Sequence, residues 1–403
     1  MSRESCNLDE LGDKKWKANP SLLITYYTLV DGLAMGVYGT LFNLLLKSVG
    51  FSTSAVGRVT SNTLWGSALL SLFLGFLSDK VDKKTVLVFS HLLGVFFGTY
   101  RALSISTAAL NVSSFFFGGF SAVSATVVST ILVMKTDRDE RSKYFGLNFG
   151  IGMLTGTVGN FIGGFLGELL GLKLSVLLSN LVRIFALIPI LKLSVKEQEV
   201  SRGVWNHVKQ VRKNIPTNVR NVLIYYFLST VSVGFGAGLF VSFGNIIFHD
   251  LFNFKPSLIG IILSLAQLAT GLGAIFSHKL GKKFSEVRVL IFSYVLVPIM
   301  IVFLSFTREP AVFSTVYVLR FAVMNMVSPL LSSVVFSQVP TSILASVNGL
   351  NNFLNNVSRA LSAELFAFFS QYSAGYTLIF LVSSVFYFAN AFAMLRLLRN
   401  IRV

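Results

Sequence analysis

The stretch Gly75-Phe-Leu-Ser-Asp-Lys-Val-Asp-Lys-Lys84 lies between two long apolar runs and leaves room for only a short turn. The run before it covers about positions 56 to 77, and the run after it covers 85 to 103. A glycine lets two helices approach closely, an aspartate ends the first helix, and lysines hold a turn at one membrane surface. We therefore interpret the two runs as antiparallel transmembrane helices joined by a basic turn.

Composition supports this interpretation for the whole chain. Of its 403 residues, 53% are hydrophobic and 13% are charged, whereas a soluble chain usually carries about 25% charged residues. The net charge of +17 would suit nucleic acid, but the basic residues lie in loops at every second turn and not on one amphipathic face. We predict an integral protein of the lipid bilayer with no nucleic-acid partner. The one cysteine, Cys6, excludes a disulfide framework and a cysteine metal cluster.

Twelve apolar runs are long enough to cross about 30 Å of hydrocarbon as helices. They lie at about 20–46, 55–78, 85–104, 107–134, 144–169, 173–192, 221–248, 257–278, 286–306, 311–337, 343–370 and 374–395. No segment shows the alternating pattern of a transmembrane barrel, so the fold class is an all-α integral membrane protein with twelve transmembrane helices.

The basic residues divide unequally between the two sides of the membrane. Of 34 lysines and arginines, 25 fall in the termini and in alternate turns on one side. Five fall on the opposite side: Lys47, Arg101, Lys173, Lys255 and Arg308. Four fall within the runs: Arg58, Arg183, Arg320 and Arg359. The positive-inside rule then predicts a multi-pass protein of the cell membrane with both termini in the cytoplasm.

The chain also repeats itself at an offset of about 200 residues. Leu22-Leu-Ile-Thr-Tyr-Tyr-Thr-Leu resembles Val222-Leu-Ile-Tyr-Tyr-Phe-Leu-Ser, and Asp79-Lys-Val-Asp-Lys-Lys resembles His278-Lys-Leu-Gly-Lys-Lys. Gly146-Leu-Asn resembles Gly349-Leu-Asn in the same way. Because six helices is an even number, both halves enter the membrane in the same orientation and form a parallel repeat.

This repeat sets the predicted domain boundaries. A polar tail covers 1–19 and lacks the apolar core of a signal peptide. Six-helix bundles cover 20–192 and 221–395, with a cytoplasmic loop at 193–220 between them and a second tail at 396–403.

The six-plus-six repeat, the basic central loop and the G-x-L-S-D-K-x-D-K-K turn are similar to those of the major facilitator superfamily. The resemblance covers nearly the whole chain and implies a monomeric secondary transporter, neither an enzyme nor a cofactor-dependent protein. Such a protein moves a small-molecule substrate with protons or another coupling ion, by rocking its halves. Uptake symport and multidrug or metabolite efflux antiport both remain open at this point, and a non-transporting receptor on the same fold is a further alternative.

The resemblance also implies a conformational latch in the first turn. Its residues would be Gly75, Asp79, Lys80, Lys83 and Lys84. Asp79 would meet the positive N-terminal end of helix 11, near 341–346, when the cytoplasmic side is closed. The mirror position carries His278, so the second latch is weakened or absent.

Two sequence features of helices 4 and 5 are relevant to the antiport hypothesis. Thr155-Gly-Thr-Val-Gly-Asn-Phe-Ile-Gly-Gly164 resembles the antiporter signature of the superfamily, with Asn160 in the place of the usual proline. Its glycines would equally provide a groove for a neighbouring helix. Helix 4 has no arginine four positions before Gly118 and Gly119, which counts against the usual proton-antiport arrangement.

One acid lies deep in the first helix. Asp31 is about eleven residues from its start, roughly 16 Å along the axis at ~1.5 Å per residue. Tyr27 and Tyr38 share its face at helical spacing, so we predict that they line the substrate site. A buried carboxylate needs a cavity or a partner. Asp31 is therefore either the proton- or cation-coupling residue or one member of a structural pair with an arginine.

Helix 11 carries a polar stripe within one sector of about 100°. It consists of Asn348, Asn351, Asn352, Asn355 and Arg359. We predict that Asn348, Asn352, Asn355 and Arg359, together with Arg183 and Arg320, bind substrate. Arginine stays charged, so these residues favour a polar or anionic metabolite over a lipophilic cation. In the alternative, the stripe joins helices, and Arg183 and Arg320 bind helix carbonyls and Asp31.

Overall fold

A computed structural model describes residues 20–78, 81–136, 138–193, 217–336, 338–339 and 344–402. These residues are almost entirely helical, and none of them lies in a β-strand.

The N-terminal half contains six helical segments. They are α1 (Pro20–Ser48), α2 (Thr53–Ser78), α3 (Lys83–Leu103), α4 (Thr107–Met134), α5 (Arg138–Leu169) and α6, which comprises Leu172–Val182, a 3-10 turn at Arg183–Ala186 and a last turn at Leu187–Leu191. The close helix pairs in this half are α2 with α4, α1 with α5, and α3 with α4.

The C-terminal half repeats this order. Its segments are α7, which comprises Thr217–Gly238, a 3-10 turn at Val241–Phe243 and Gly244–Phe252, then α8 (Pro256–Phe284), α9 (Glu286–Phe306), α10 (Pro310–Phe336), α11 (Leu344–Phe369) and α12 (Gly375–Arg402). The close pairs are α8 with α10, α7 with α12, α9 with α12, and α7 with α11. The predicted all-helical fold of two six-helix bundles is confirmed.

Nine helices in the described ranges are long and apolar enough to cross a membrane, and α10 contributes a shorter apolar stretch, Pro310–Met326. Helices α2 and α11 are not among the nine, and they pack against each other between the halves. The other close pair between halves is α5 with α8. Polar side chains on a spanning helix are costly against lipid, so this position suits the asparagine stripe of α11.

The buried apolar residues form different cores on the two sides of the molecule. We call the side where α1 begins and α6 ends the basic side, because α3 also begins there with Lys83 and Lys84. Near the basic side each half has its own core, typified by Ile24 and Ile190 in the first half and by Val222 and Leu397 in the second.

On the opposite side one continuous core includes residues of both halves. Leu45 and Val56 from the first half pack there with Phe240, Phe243 and Phe366 from the second. The halves are therefore joined by apolar packing on the side opposite the basic loops.

The second aspartate of the turn between α2 and α3 fixes the start of α3. Asp82 caps α3, because its carboxylate accepts from the backbone N–H of Thr85 at 2.9 Å and from the Thr85 hydroxyl at 2.8 Å. Partial burial raises the pKa of Asp82, but these bonds outweigh burial and leave the pKa below its usual value. The cap is therefore present at neutral pH and is lost as the pH falls through the lowered pKa.

Candidate substrate cavity and coupling site

A carboxylate at the end of α7 links the two halves on the side opposite the basic loops. Asp250 accepts hydrogen bonds from Thr53 Oγ1 at 2.9 Å and Tyr376 Oη at 2.8 Å, and it forms an ion pair with Lys47 Nζ at 3.3 Å. Lys47 and Thr53 belong to the first half, whereas Tyr376 belongs to the second. Asp250 therefore holds α1 and α2 against α7 and α12.

Glycines of α5 give this side its close helix contacts. A Cβ on Gly164 would lie 2.5 Å from the carbonyl oxygen of Pro256 in α8, and a Cβ on Gly163 would lie 2.9 Å from Cα of Val37 in α1. The glycine-rich stretch predicted as a groove does therefore serve packing, against α1 on one face and α8 on another.

We expect Asp250→Asn to weaken closure on this side, since the Lys47 ammonium loses its anionic partner. A partly exposed pair contributes about 0.2–1 kcal/mol, so the ratio of closed to open molecules should fall by roughly 1.4-fold to fivefold. Labelling of a Thr40→Cys cavity reporter in a Cys6→Ser background measures this change from each side of the membrane. Glu309→Gln is the control, because the Glu309 carboxylate binds the backbone of its own helix α10. Unchanged labelling in Asp250→Asn would show that Asp250 does not hold the halves together.

A cavity of about 530 Å³ lies between the halves. Thr40 and Asn160 line it from the first half, and Asn245, Gln267 and Arg359 line it from the second. Thr40 Oγ1 donates to Asn160 Oδ1 at 3.0 Å, and Asn160 Nδ2 donates to Gln267 Oε1 at 3.2 Å. The residue that replaces the usual proline of the antiporter signature thus joins α1 to α8 across this cavity.

A second cavity of about 290 Å³ adjoins the first and lies within the C-terminal half. Its lining includes Thr230, Arg320, Asn351, Asn355 and Arg359. Arg359, Phe321 and Asn325 line both cavities. Among the described residues, no aspartate or glutamate lines either cavity.

The two cavity arginines lack a carboxylate partner in the described structure. Arg320 is 2% exposed, donates to the hydroxyl of Tyr387, and lies within about 5 Å of the rings of Phe240, Phe321 and Tyr387. Arg359 Nη2 donates to Ser242 Oγ at 3.2 Å. The Nε–H groups of both arginines are buried and have no acceptor in the part of the chain that the structure describes.

Asp31 lies apart from these cavities and is paired. Its Oδ1 accepts from Arg183 Nε at 2.7 Å, and Arg183 is 1% exposed in the 3-10 turn of α6. His91 Nε2 donates to the Arg183 carbonyl at 2.8 Å, so Nδ1 of the neutral ring accepts from Tyr27 Oη at 2.8 Å. Tyr27 is therefore part of a buried polar network around Asp31 and lines neither cavity.

Tyr38 lies in the apolar core. Its hydroxyl donates to the Gly98 carbonyl at 3.0 Å and accepts from Arg101 Nε at 2.7 Å. The Arg101 guanidinium lies 3.6 Å from the ring centre of Phe117 and 3.9 Å from that of Phe42. The sequence predicts Arg101 among the basic residues on the side opposite the basic loops, and the structure buries its guanidinium among these rings. Three aromatic rings, those of Tyr38, Phe42 and Phe117, stabilise it there.

The remaining predicted site residues are dispersed. Asn348 and Asn352 on α11 are exposed outside both cavities, whereas Asn355 lines the smaller one. Lys84 Nζ donates to the carbonyl of Leu191 at 2.7 Å and so ties the start of α3 to the end of α6.

The latch is described only in part. Gly75 lies in α2, and Lys83 starts α3. Asp79, Lys80 and the segment 340–343 lie outside the described residues, so the contact between Asp79 and helix 11 stays a prediction.

Sequence reasoning missed three polar cavity residues: Asn245, Gln267 and Asn325. Gln267 and Asn325 are each the one amide of their helices, and Asn245 follows the 3-10 turn of α7. An amide within a spanning segment is a signal. Within the described ranges no three histidine, cysteine or acidic side chains come together to hold a metal ion.

The sequence profile of the Major Facilitator Superfamily matches residues 25–363. The chain belongs to this superfamily. The predicted family and membrane-transporter class are thereby confirmed, and the fold and family are those of transporters and not of enzymes.

Solved structures of similar fold include three transporters. A bacterial homologue of the human lysosomal transporter Spinster, inward-facing and occupied, has a TM-score of 0.76 at 13% identity over 96% of this chain and 98% of its own. The nucleoside transporter NupG has a TM-score of 0.70 at 17% identity over 94% and 99%. A D-xylose–proton symporter has a TM-score of 0.73 at 12% identity over 91% and 96%. Identities this low indicate a shared fold alone.

A gentisate transporter of Corynebacterium glutamicum is similar over a shorter stretch. It is 30% identical over 90 residues, which cover 22% of this chain and 20% of that transporter.

Proposed function

We propose that this protein is a secondary active transporter that moves a polar or anionic metabolite by alternating access, coupled to protons. The arrangement of the three apolar cores supports this mechanism. The halves share one core on the side opposite the basic loops, whereas each half has its own core near the basic side. Rocking about the 530 Å³ cavity would exchange these two arrangements. With the basic side in the cytoplasm, as the positive-inside rule predicts, the described state faces inward.

The observation that supports an anionic substrate is the pair of arginines in cavities without acidic residues. A buried guanidinium without a counter-charge is costly, and a substrate carboxylate would neutralise it with paired N–H···O bonds. The partial relative fits this chemistry, since gentisate is an organic carboxylate. The xylose and nucleoside carriers of the same fold act on polar solutes.

Proton coupling is assigned to Asp31. Protonation of its carboxylate would break the ion pair with Arg183, and the released guanidinium would bias the position of α6 against α1. In this proposal the coupling site lies in the first half, the arginines that bind substrate lie in the second half, and the chain works as a monomer in the cell membrane.

Transport by purified protein in proteoliposomes tests the function. We expect uptake of radiolabelled organic anions, including gentisate, to rise with an imposed pH gradient. Arg359→Gln should lower uptake roughly tenfold or more, because it removes a charged hydrogen-bond donor worth about 1.5–3 kcal/mol. Arg58→Gln is the matched control, since Arg58 lines neither cavity. Selective transport of lipophilic cations, with no anion transport, would contradict the proposal.

A further inference from the structure

Arg101, Arg183 and Arg320 are buried and Arg359 is partly buried, and these four arginines fall into two classes. Arg101 donates from Nε to Tyr38 and from Nη1 to Thr63 Oγ1 at 3.2 Å. Arg183 donates from Nε to Asp31 and from Nη1 to Asn180 Oδ1 at 3.3 Å. Both of these lie in the first half, line neither cavity and have Nε bonded. Their hydrogen bonds and aromatic contacts account for their burial without any ligand.

Arg320 differs from Arg101 although it has similar aromatic neighbours. Three rings surround its guanidinium, as in the case of Arg101, but its Nε–H has no acceptor among the described residues. Unlike Arg101, it lines a cavity. Nearly all buried N–H groups in proteins are bonded, so this donor indicates an acceptor that the cavity receives.

Arg359 presents a second donor of the same kind at the junction of the cavities. Its Nε–H is buried with no acceptor among the described residues, and its side chain lines both cavities. Tyr317 is fully buried, lines the larger cavity, and has a hydroxyl that is also without a partner. Three donors without a partner among the described residues thus belong to side chains that line these two adjoining cavities, and two of the donors belong to cations.

Charge and position together restrict the ligand. Two guanidinium groups without an acidic residue in the lining are best neutralised by two negative charges. Arg320 lines only the smaller cavity, whereas Arg359 also opens to the larger cavity beside Tyr317. Both arginines line the smaller cavity, so one charge can be bound within it and the other at its junction with the larger cavity.

We propose that the substrate is a dicarboxylate, with one carboxylate bound by Arg320 in the smaller cavity and the other by Arg359 and Tyr317 towards the larger one. Phe321, which lines both cavities, would contact the skeleton between the two acidic groups. This inference rests on the proposed transport of anions and narrows its substrate class.

Binding of matched acids to the purified protein tests it. Calorimetry at neutral pH would compare isophthalate and terephthalate with benzoate, and succinate and glutarate with butyrate; phenyl phosphate supplies two charges on one group. We expect the best dicarboxylate to bind at least tenfold more tightly than its monocarboxylate. Arg320→Gln and Arg359→Gln should each reduce this preference to about twofold or less, while Arg58→Gln should keep it.

Each other outcome has a distinct meaning. Equal affinity for monocarboxylates and dicarboxylates, or a preference for phenyl phosphate, would overturn the dicarboxylate inference and leave anion transport intact. Binding of no acid at all would overturn both proposals. Should Arg320→Gln fail to fold, Arg320→Lys keeps the charge but loses the Nε–H, and it should retain part of the preference, whereas full retention would count against the role of Nε.

Discussion

Replacing Gly164 with valine is expected to stop transport by preventing the halves from closing on the side opposite the basic loops. A Cβ at Gly164 would lie 2.5 Å from the Pro256 carbonyl oxygen and 3.0 Å from Cα of Gly260. Both are backbone atoms of α8, so no side chain can rotate to relieve the clash. Overpacking of this kind costs about 1–3 kcal/mol, which would shift a balanced equilibrium roughly fivefold to 150-fold towards the state open on that side.

The measurement is labelling of the Thr40→Cys reporter, in a Cys6→Ser background, together with transport. Gly164→Val should raise labelling from the side opposite the basic loops and lower transport at least tenfold. Gly150→Val is the matched control on the same helix, because nothing lies within 4 Å of a Cβ built there. Full transport by Gly164→Val would mean that the α5–α8 contact is not needed for the cycle.

Much of the fold follows from properties that each segment carries by itself. The apolar runs and the basic loops depend on transfer of single side chains between water and lipid, and they predicted the helices between Pro20 and Arg402 closely. The repeat at an offset of about 200 residues predicted two similar halves, because similar segments form similar helices. The polar stripe of α11 indicated its place between the halves, where α11 packs on α2.

The site depends more on neighbours that no single segment reveals. Arg183 and Arg101 are both buried arginines of the first half, yet one binds Asp31 and the other lies against Phe117. Their sequence surroundings do not distinguish these fates. Asn348 and Asn355 share a helical face, but only Asn355 reaches a cavity, since the cavity covers one part of the helix length.

Asp31→Asn is expected to abolish accumulation of substrate driven by a pH gradient while leaving exchange across the membrane. In the proposed mechanism this change removes the carboxylate that takes up the proton, but Arg320 and Arg359 remain in the cavities. The change also leaves the Arg183 guanidinium buried without its ion pair, which costs about 3–5 kcal/mol of stability. Accumulation and exchange should be measured in the same proteoliposomes, together with the melting temperature of the purified protein.

The double variant Asp31→Asn/Arg183→Gln separates coupling from stability. Removing both members of a buried ion pair relieves the unpaired charge, so the melting temperature should return towards that of the unmodified protein. A coupling role predicts that this stable double variant still exchanges substrate and still fails to accumulate it. Accumulation restored along with stability would assign the Asp31–Arg183 pair to structure alone. His91 donates to the Arg183 carbonyl and not to Asp31, so its hydrogen bond to α6 should remain in both variants. His91→Gln is a comparison variant, because it removes this hydrogen bond and leaves the Asp31–Arg183 ion pair intact.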